Sequence, residues 1–182
     1  KALHFLAVED VDDLSQYGVG TANNGGGTDG QEYTFPTQAL DEGQHLLLAR
    51  STAAMSAYFG ACIAEFGVVL EASSAVNQNG DDAIELYFEE EVIETFGDPD
   101  VDGSGESWEY SDSWAFKSES GDWAMGGLGC STGATTEDSA CPYPLCSESE
   151  GNPGCMDATA CNFDAEATVD DLTCIFPGDT CD

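Results

Sequence analysis

Asn77-Gln78-Asn79-Gly80-Asp81-Asp82-Ala83-Ile84-Glu85-Leu86-Tyr87-Phe88 sets a dense cluster of turn residues directly ahead of a run with apolar side chains at every second position. Asn, Gly and Asp hold tight reversals, while period-two alternation is the mark of a strand with one buried face. Working outward, the same grammar repeats. Val92–Phe96 and Gly67–Glu71 read as short strands, Gln44–Ala49 as a nearly continuous apolar strand after the Glu42-Gly43 turn, and Gln31–Phe35 as a strand ended by Pro36. Ala2–Val8 and Leu14–Val19 are further apolar runs separated by the acidic Asp10–Asp13. Thr21–Gly30, rich in Gly and Asn, reads as a polar hairpin tip that packs nothing, and Thr52–Phe59 is the one helix candidate. Ser107–Lys117 carries Trp108, Tyr110, Trp114 and Phe116 at period two and reads as an aromatic strand. Many short strands joined by polar turns predict an all-β sandwich or barrel.

Charge and cysteine content bound the setting. The 182 residues include 36 Asp and Glu against 3 Lys and Arg, a formal net charge of -33. Such a chain repels phosphate backbones and anionic membranes, so nucleic acid and membrane surfaces are not expected partners. Its self-repulsion calls for an offset, either bound divalent cations or high external salt. The cysteines are Cys62, Cys130, Cys141, Cys146, Cys155, Cys161, Cys174 and Cys181. Their even number and C-terminal crowding predict disulfides and an extracellular or cell-surface location. A zinc site is the weaker reading, because no Cys-x2-Cys pair exists and His4 and His45 lie far upstream. The longest apolar runs are strand-length, so no spanning helix is expected, and the chain reads as processed or as part of something longer. Aliphatic residues thin out after Trp123, which places a boundary near Leu128: a folded domain over 1–128 and an acidic, Cys-rich, mostly irregular tail over 129–182.

Two resemblances sharpen this reading. Asp12–Val19, Ala22–Pro36, Asn79–Leu86, Phe96-Gly97-Asp98, Trp108-Glu109-Tyr110 and Trp114-Ala115-Phe116 together resemble the lamin-tail-like domain of secreted microbial proteins. The resemblance covers most of residues 1–124 and implies an immunoglobulin-like β-sandwich, a non-catalytic attachment often found beside nucleases, proteases or adhesins. Gly154–Asp164 with Ala167–Cys174 resembles a short Cys-rich repeat of large surface and secreted proteins of marine microbes. Lamin-tail-like members carry a further strand ahead of the segment that starts here at Lys1-Ala2-Leu3. The resemblance therefore implies that a strand from outside residues 1–182 pairs beside Ala2–Val8, from upstream in the polypeptide or from a neighbouring subunit.

One stretch carries a metal-ligand pattern. Asp98-Pro99-Asp100-Val101-Asp102-Gly103-Ser104-Gly105-Glu106-Ser107-Trp108-Glu109 satisfies D-x-[DN]-x-[DN]-G-x5-E in full. Alternate oxygens from Asp98, Asp100, Asp102, Ser104 and Glu106, closed by Glu109, could converge on Ca2+, with Gly103 allowing the sharp turn. The flanks read as strands rather than helices, so a solvated acidic hairpin stands beside the calcium reading. A second acidic group, Asp157, Asn162, Asp164, Asp170 and Asp171, reads as a charged soluble loop, and Asn79, Asp81 and Asp82 as turn formers.

Catalytic patterns are missing from the sequence. There is no Gly-x-Ser-x-Gly, no His-Glu-x-x-His and no phosphate loop, and His4 and His45 read as strand residues. Cys62 has no flanking base or cation and reads as a disulfide half joined to a tail cysteine. Glu85 and Glu89–Glu91 are acidic pairs expected by chance in so acidic a chain. The aromatic row could stack on sugars, but period two points to a core face. The expected function is a non-catalytic structural subunit or domain of an extracellular assembly, such as a filament, appendage or matrix, with copies of itself or neighbouring subunits as partners. The alternative is a binding or targeting module of a larger secreted hydrolase such as a nuclease or protease.

Overall fold

The computed structural model describes residues 1–182 except 73, 119, 149–152, 166, 168, 171–172, 177 and 179–182. It is β-rich, with mostly antiparallel strand pairing and few helices. The chain divides into two units, Lys1–Tyr143 and Pro144–Asp182. Residues 129–143, read from composition as the start of the tail, therefore belong to the first unit.

Two sheets build that first unit. One has the order β1-β4-β5 and comprises β1 (Ala2–Leu6), β4 (His45–Ala49) and β5 (Val68–Glu71). The other has the order β3-β2-β6-β7, from β2 (Tyr17–Ala22), β3 (Tyr33–Thr34), β6 (Ala83–Phe88) and β7 (Glu91–Phe96). β4 and β5 run parallel and are joined through the helix α1 (Thr52–Phe59) and a 3-10 turn over Gly60–Glu65. Ser51 caps α1 by accepting the Ala54 N–H at 3.3 Å, and Gly60, at φ 57°, ends it. A hairpin of β8 (Ala115–Lys117) and β9 (Trp123–Met125) follows.

Alternation along the strands fixes which face is apolar. Leu46 and Leu48 of β4, Leu3 and Phe5 of β1, and Val68 and Leu70 of β5 meet Val19, Tyr17, Tyr33 and Leu86 from the other sheet in one core, closed by Leu14, Phe35, Leu40 and Val76. β1 lies at the edge of its sheet and pairs only with β4 among the described residues.

Two sequence expectations need correction. Residues 21–30 are not an idle hairpin tip. β2 extends to Ala22, and the glycine-rich loop after it folds back over the outer face of its own sheet, where Gly18, Gly20, Glu85 and Tyr87 lie. A Cβ on Gly20 would collide with the Gly30 carbonyl, so hydrogen at that position is what lets the loop lie flat. The aromatic row is not one strand either. Asp112, at φ 47°, turns the backbone. This sends Trp108 and Tyr110 against Phe96, and Trp114 and Phe116 against Tyr143.

The second unit contains the short helix α2 (Pro144–Glu148), a two-residue parallel pairing of β10 (Pro153–Gly154) with β11 (Val169–Asp170), and the Cys155–Cys174 disulfide. Cys130–Cys141 is a second bridge, within the first unit. Cys62, Cys146 and Cys161 are also disulfide-bonded, while Cys181 and Asp171 lie outside the described residues.

Candidate functional site

Three loops converge at one end of the β3-β2-β6-β7 sheet: residues 23–32, the turn 77–82 and the acidic loop 97–113. Backbone bonds lock them. Gly27 N donates to Pro99 O at 2.9 Å, Gly103 N to Asp81 O at 3.0 Å and Tyr110 N to Gly80 O at 2.7 Å. Asp82 is almost fully buried and holds two loops at once, accepting Asn24 N through Oδ1 and Asn79 N through Oδ2. The Tyr110 hydroxyl donates to the Asp82 carbonyl at 2.9 Å. Burial, reinforced by the Asp82 and Asp81 charges, raises the phenol well above its ordinary range. Trp108 lies where a Cβ on Gly103 would have to sit, so Gly103 serves close packing here as well as the turn.

The residues of the calcium pattern sit in this cluster, turned largely toward their own backbone. Asp98 Oδ1 accepts Asp100 N at 3.0 Å, Asp102 Oδ1 accepts Ser104 N at 3.0 Å, and Glu109 Oε2 accepts Gly105 N at 2.7 Å. Glu109 Oε1 also accepts the Ser111 hydroxyl. Asp100 lies against Gly27, and Glu106 is exposed. Ser104 Oγ donates to Asp81 Oδ2 at 2.8 Å, while Asp81 Oδ1 is buried without a hydrogen-bond partner among the described residues. Asp81 is the member that motif reading left out. Among the described residues, no group of three or more His, Cys, Asp or Glu side chains comes together here. In the second unit Asp157 accepts both the N–H and the hydroxyl of Thr159, and Asn162 bridges Thr173 O and Ile175 N.

Under the glycine-rich loop lies a buried carboxylate that the sequence offered only as chance acidity. Glu85 is 2% exposed. It accepts the Thr28 hydroxyl at 2.5 Å and the Tyr87 hydroxyl at 2.9 Å. Burial, then the Glu85 contact, pushes Tyr87 up to about 12.

On the outer face of the β1-β4-β5 sheet the two histidines meet, which strand reading did not foresee. His4 Nε2 lies 2.8 Å from His45 Nδ1, and His4 Nδ1 lies 2.8 Å from the Tyr143 hydroxyl. Phe66 and Phe116 pack on His4, and Phe59, Trp114 and Phe116 pack on Tyr143. Each histidine alternates with core residues of its own strand, His4 with Leu3 and Phe5 and His45 with Leu46, a pattern the sequence does hold. The partner tyrosine comes from far along the chain.

A shallow surface cleft between β7 and β9 is lined by Phe96, Asp98, Ser107, Trp108, Trp123 and Met125. No family model, curated protein or solved structure matches the chain.

Proposed function

We propose that this chain is a non-catalytic structural subunit or domain of an extracellular assembly, joined to its neighbours by a strand added beside β1. One observation carries the reading: β1 is apolar, at a sheet edge, and paired on one side only among the described residues. Natural proteins blunt such edges with Lys, Pro or inward charges, and Ala2–Leu6 has none. The two sheets sharing one core support an immunoglobulin-like sandwich of the lamin-tail-like kind. The disulfides support an oxidising, extracellular setting, and no described helix is long and apolar enough to cross a membrane.

Antiparallel pairing tells which groups face that strand, and of these the Ala2 carbonyl already accepts Gln78 Nε2 at 3.2 Å. Arg50 N donates to Lys1 O and Ala7 N to Gln44 O, so odd-numbered residues of β1 bond to β4. The N–H groups of His4 and Leu6 then point away from the sheet. Leu6→Pro removes one outward donor and no β4 bond. In light scattering at about 1 M salt, where screening is effective within about 3 Å, the native chain is expected to form species larger than a monomer, and Leu6→Pro to remain monomeric. Assembly unchanged by Leu6→Pro, or a monomer at every salt concentration, refutes the reading.

Calcium is proposed as a second offset to the charge, held at the loop cluster that contains Asp98, Asp100, Asp102, Ser104, Glu106 and Glu109. The buried, unpartnered oxygen of Asp81 beside Ser104 supports it. A second reading, a binding module of a larger secreted hydrolase, draws on the aromatic cleft at Trp108 and Trp123. A catalytic domain encoded on the same polypeptide would favour it.

A further inference from the structure

We propose that the His45–His4–Tyr143 string is an acid-sensitive latch that holds residues 130–143 on the outer face of the β1-β4-β5 sheet and releases them on mild acidification. His4 bridges the β1-β4-β5 sheet and the end of the irregular segment 130–143. It stands on β1, contacts His45 of β4, and holds by its other nitrogen the hydroxyl of Tyr143, the last residue of the first unit. What surrounds the string is aromatic: Phe66 beside the turn after α1, Phe116 of β8, and Phe59 and Trp114 around Tyr143. The titratable groups facing His4 are His45 and Tyr143. Neither supplies a negative charge near neutrality, although the chain carries 36 carboxylates. A proton added to His4 would be a buried charge without a counter-ion, 2.8 Å from another imidazole.

The direction of the pH response follows. Burial first, and the His45 charge second, lower His4 from 6.5 to about 4. The closed state therefore favours neutral His4. Its contribution is fully present above pH 6.5, falls as pH drops below that value, and levels off near pH 4. Between pH 7.5 and pH 5 the ratio of open to closed forms should rise about 30-fold.

The latch opens locally because the segment it holds is irregular and lies outside the ladders of the two sheets. Residues 130–143 contain no strand or helix. Among the described residues, bonds that tie them to the rest of the unit include Thr136 N to Tyr58 O, the Tyr58 hydroxyl to Ser131 O, Ser131 N to Asp112 O and Trp114 Nε1 to Cys141 O, and Thr136 is buried. The Cys130–Cys141 bridge keeps the loop's own shape when it lifts. Such a piece belongs to the low-stability end of a fold, unlike the sheets beneath.

Amide hydrogen exchange on the intact, oxidised chain, corrected for intrinsic pH dependence, tests this. Residues 130–143 should exchange about 30-fold faster at pH 5 than at pH 7.5, with β2 and β6 exchanging far more slowly than this segment at both pH values. His4→Phe, which keeps an aromatic ring and cannot titrate, should remove that response. Protection of residues 130–143 equal to that of β2 and β6, or the same response in His4→Phe, overturns the latch. Should His4→Phe fail to fold, NMR titration of the native chain decides: a His4 midpoint near 4 supports the latch, and one near 6.5 overturns it.

Discussion

Gly20→Ala should cost about 3 kcal/mol, far more than a surface methyl in a strand. The new Cβ would lie under 3.0 Å from the Gly30 carbonyl oxygen, whereas ordinary contact begins at 3.4 Å. Backbone stands on both sides of the clash, so the loop must withdraw. Overpacking of this kind costs about 1–3 kcal/mol. Withdrawal also parts Thr28 from Glu85, a bond of 2.5 Å to a side chain only 2% exposed. A buried carboxylate short of a donor adds about 1–3 kcal/mol. Thr28→Ala alone incurs the second loss, the missing donor to Glu85, without the first. The two substitutions should therefore be subadditive, since Gly20→Ala already breaks the bond that Thr28→Ala deletes. Urea denaturation of the two single variants and the double variant at one fixed salt concentration measures this. A loss below about 1 kcal/mol for Gly20→Ala, or strict additivity, would show that the loop does not press on the sheet and that Glu85 is held otherwise.

Two further outcomes follow from the bridges and the loops. Replacing Cys130 and Cys141 by Ser opens a bridge of sequence separation 11 and should cost about 3 kcal/mol in equilibrium unfolding by loop-closure entropy; an unchanged transition would mean that the reduced loop is held by its packing alone. Millimolar calcium should raise the melting temperature, since extracellular sites have Kd on the order of 0.1–1 mM, and Asp100→Ala should abolish the rise. Melting curves that overlay with and without chelator count against a bound ion.

Strand positions were legible wherever local pattern and burial agree. Ala83–Phe88 and Thr52–Phe59 have the limits read from the sequence. Errors arose where backbone geometry overrides pattern. Period two across Trp108, Tyr110, Trp114 and Phe116 predicts a strand, but left-handed Asp112 breaks it into two clusters on different parts of the fold. Thr21–Gly30 reads as solvent-facing because its composition is polar, yet the absence of side chains at Gly18 and Gly20 creates the trough it fills. Position-by-position reading cannot see a feature made by what is missing on a neighbouring strand. The acidic loop shows the same limit. The motif gives spacing correctly, but spacing does not say whether a carboxylate turns toward an ion or toward its own backbone, and Asp81, outside the motif, supplies the oxygen that points inward.

The charge finds a physical explanation in those same turns. Among the described residues the ion pair is Lys117 with Glu94, so cations do not neutralise the carboxylates one by one. Backbone amides take that part. Asp10 accepts Glu42 N at 2.9 Å, Asp13 accepts Ser15 N, Glu32 accepts Thr21 N, Glu71 accepts Thr52 N, and Asp82, Asp98, Asp102 and Glu109 do the same in the loop cluster. A carboxylate is the strongest acceptor a loop N–H can find, and a chain of many short strands has many loop amides without a ladder partner. Asp13 and Asp157 accordingly titrate below the ordinary carboxylate range, chiefly through side-chain and backbone bonds to Ser15 and Thr159. Such groups favour the folded state above their ordinary pKa and lose that preference as pH falls through the lowered one. Exposed carboxylates that meet neither a donor nor a cation only repel. Salt screens their repulsion across several ångströms and leaves bonds of about 3 Å nearly untouched. Acid removes the repulsion and the caps together, so this chain gains from salt in a way it cannot gain from protons.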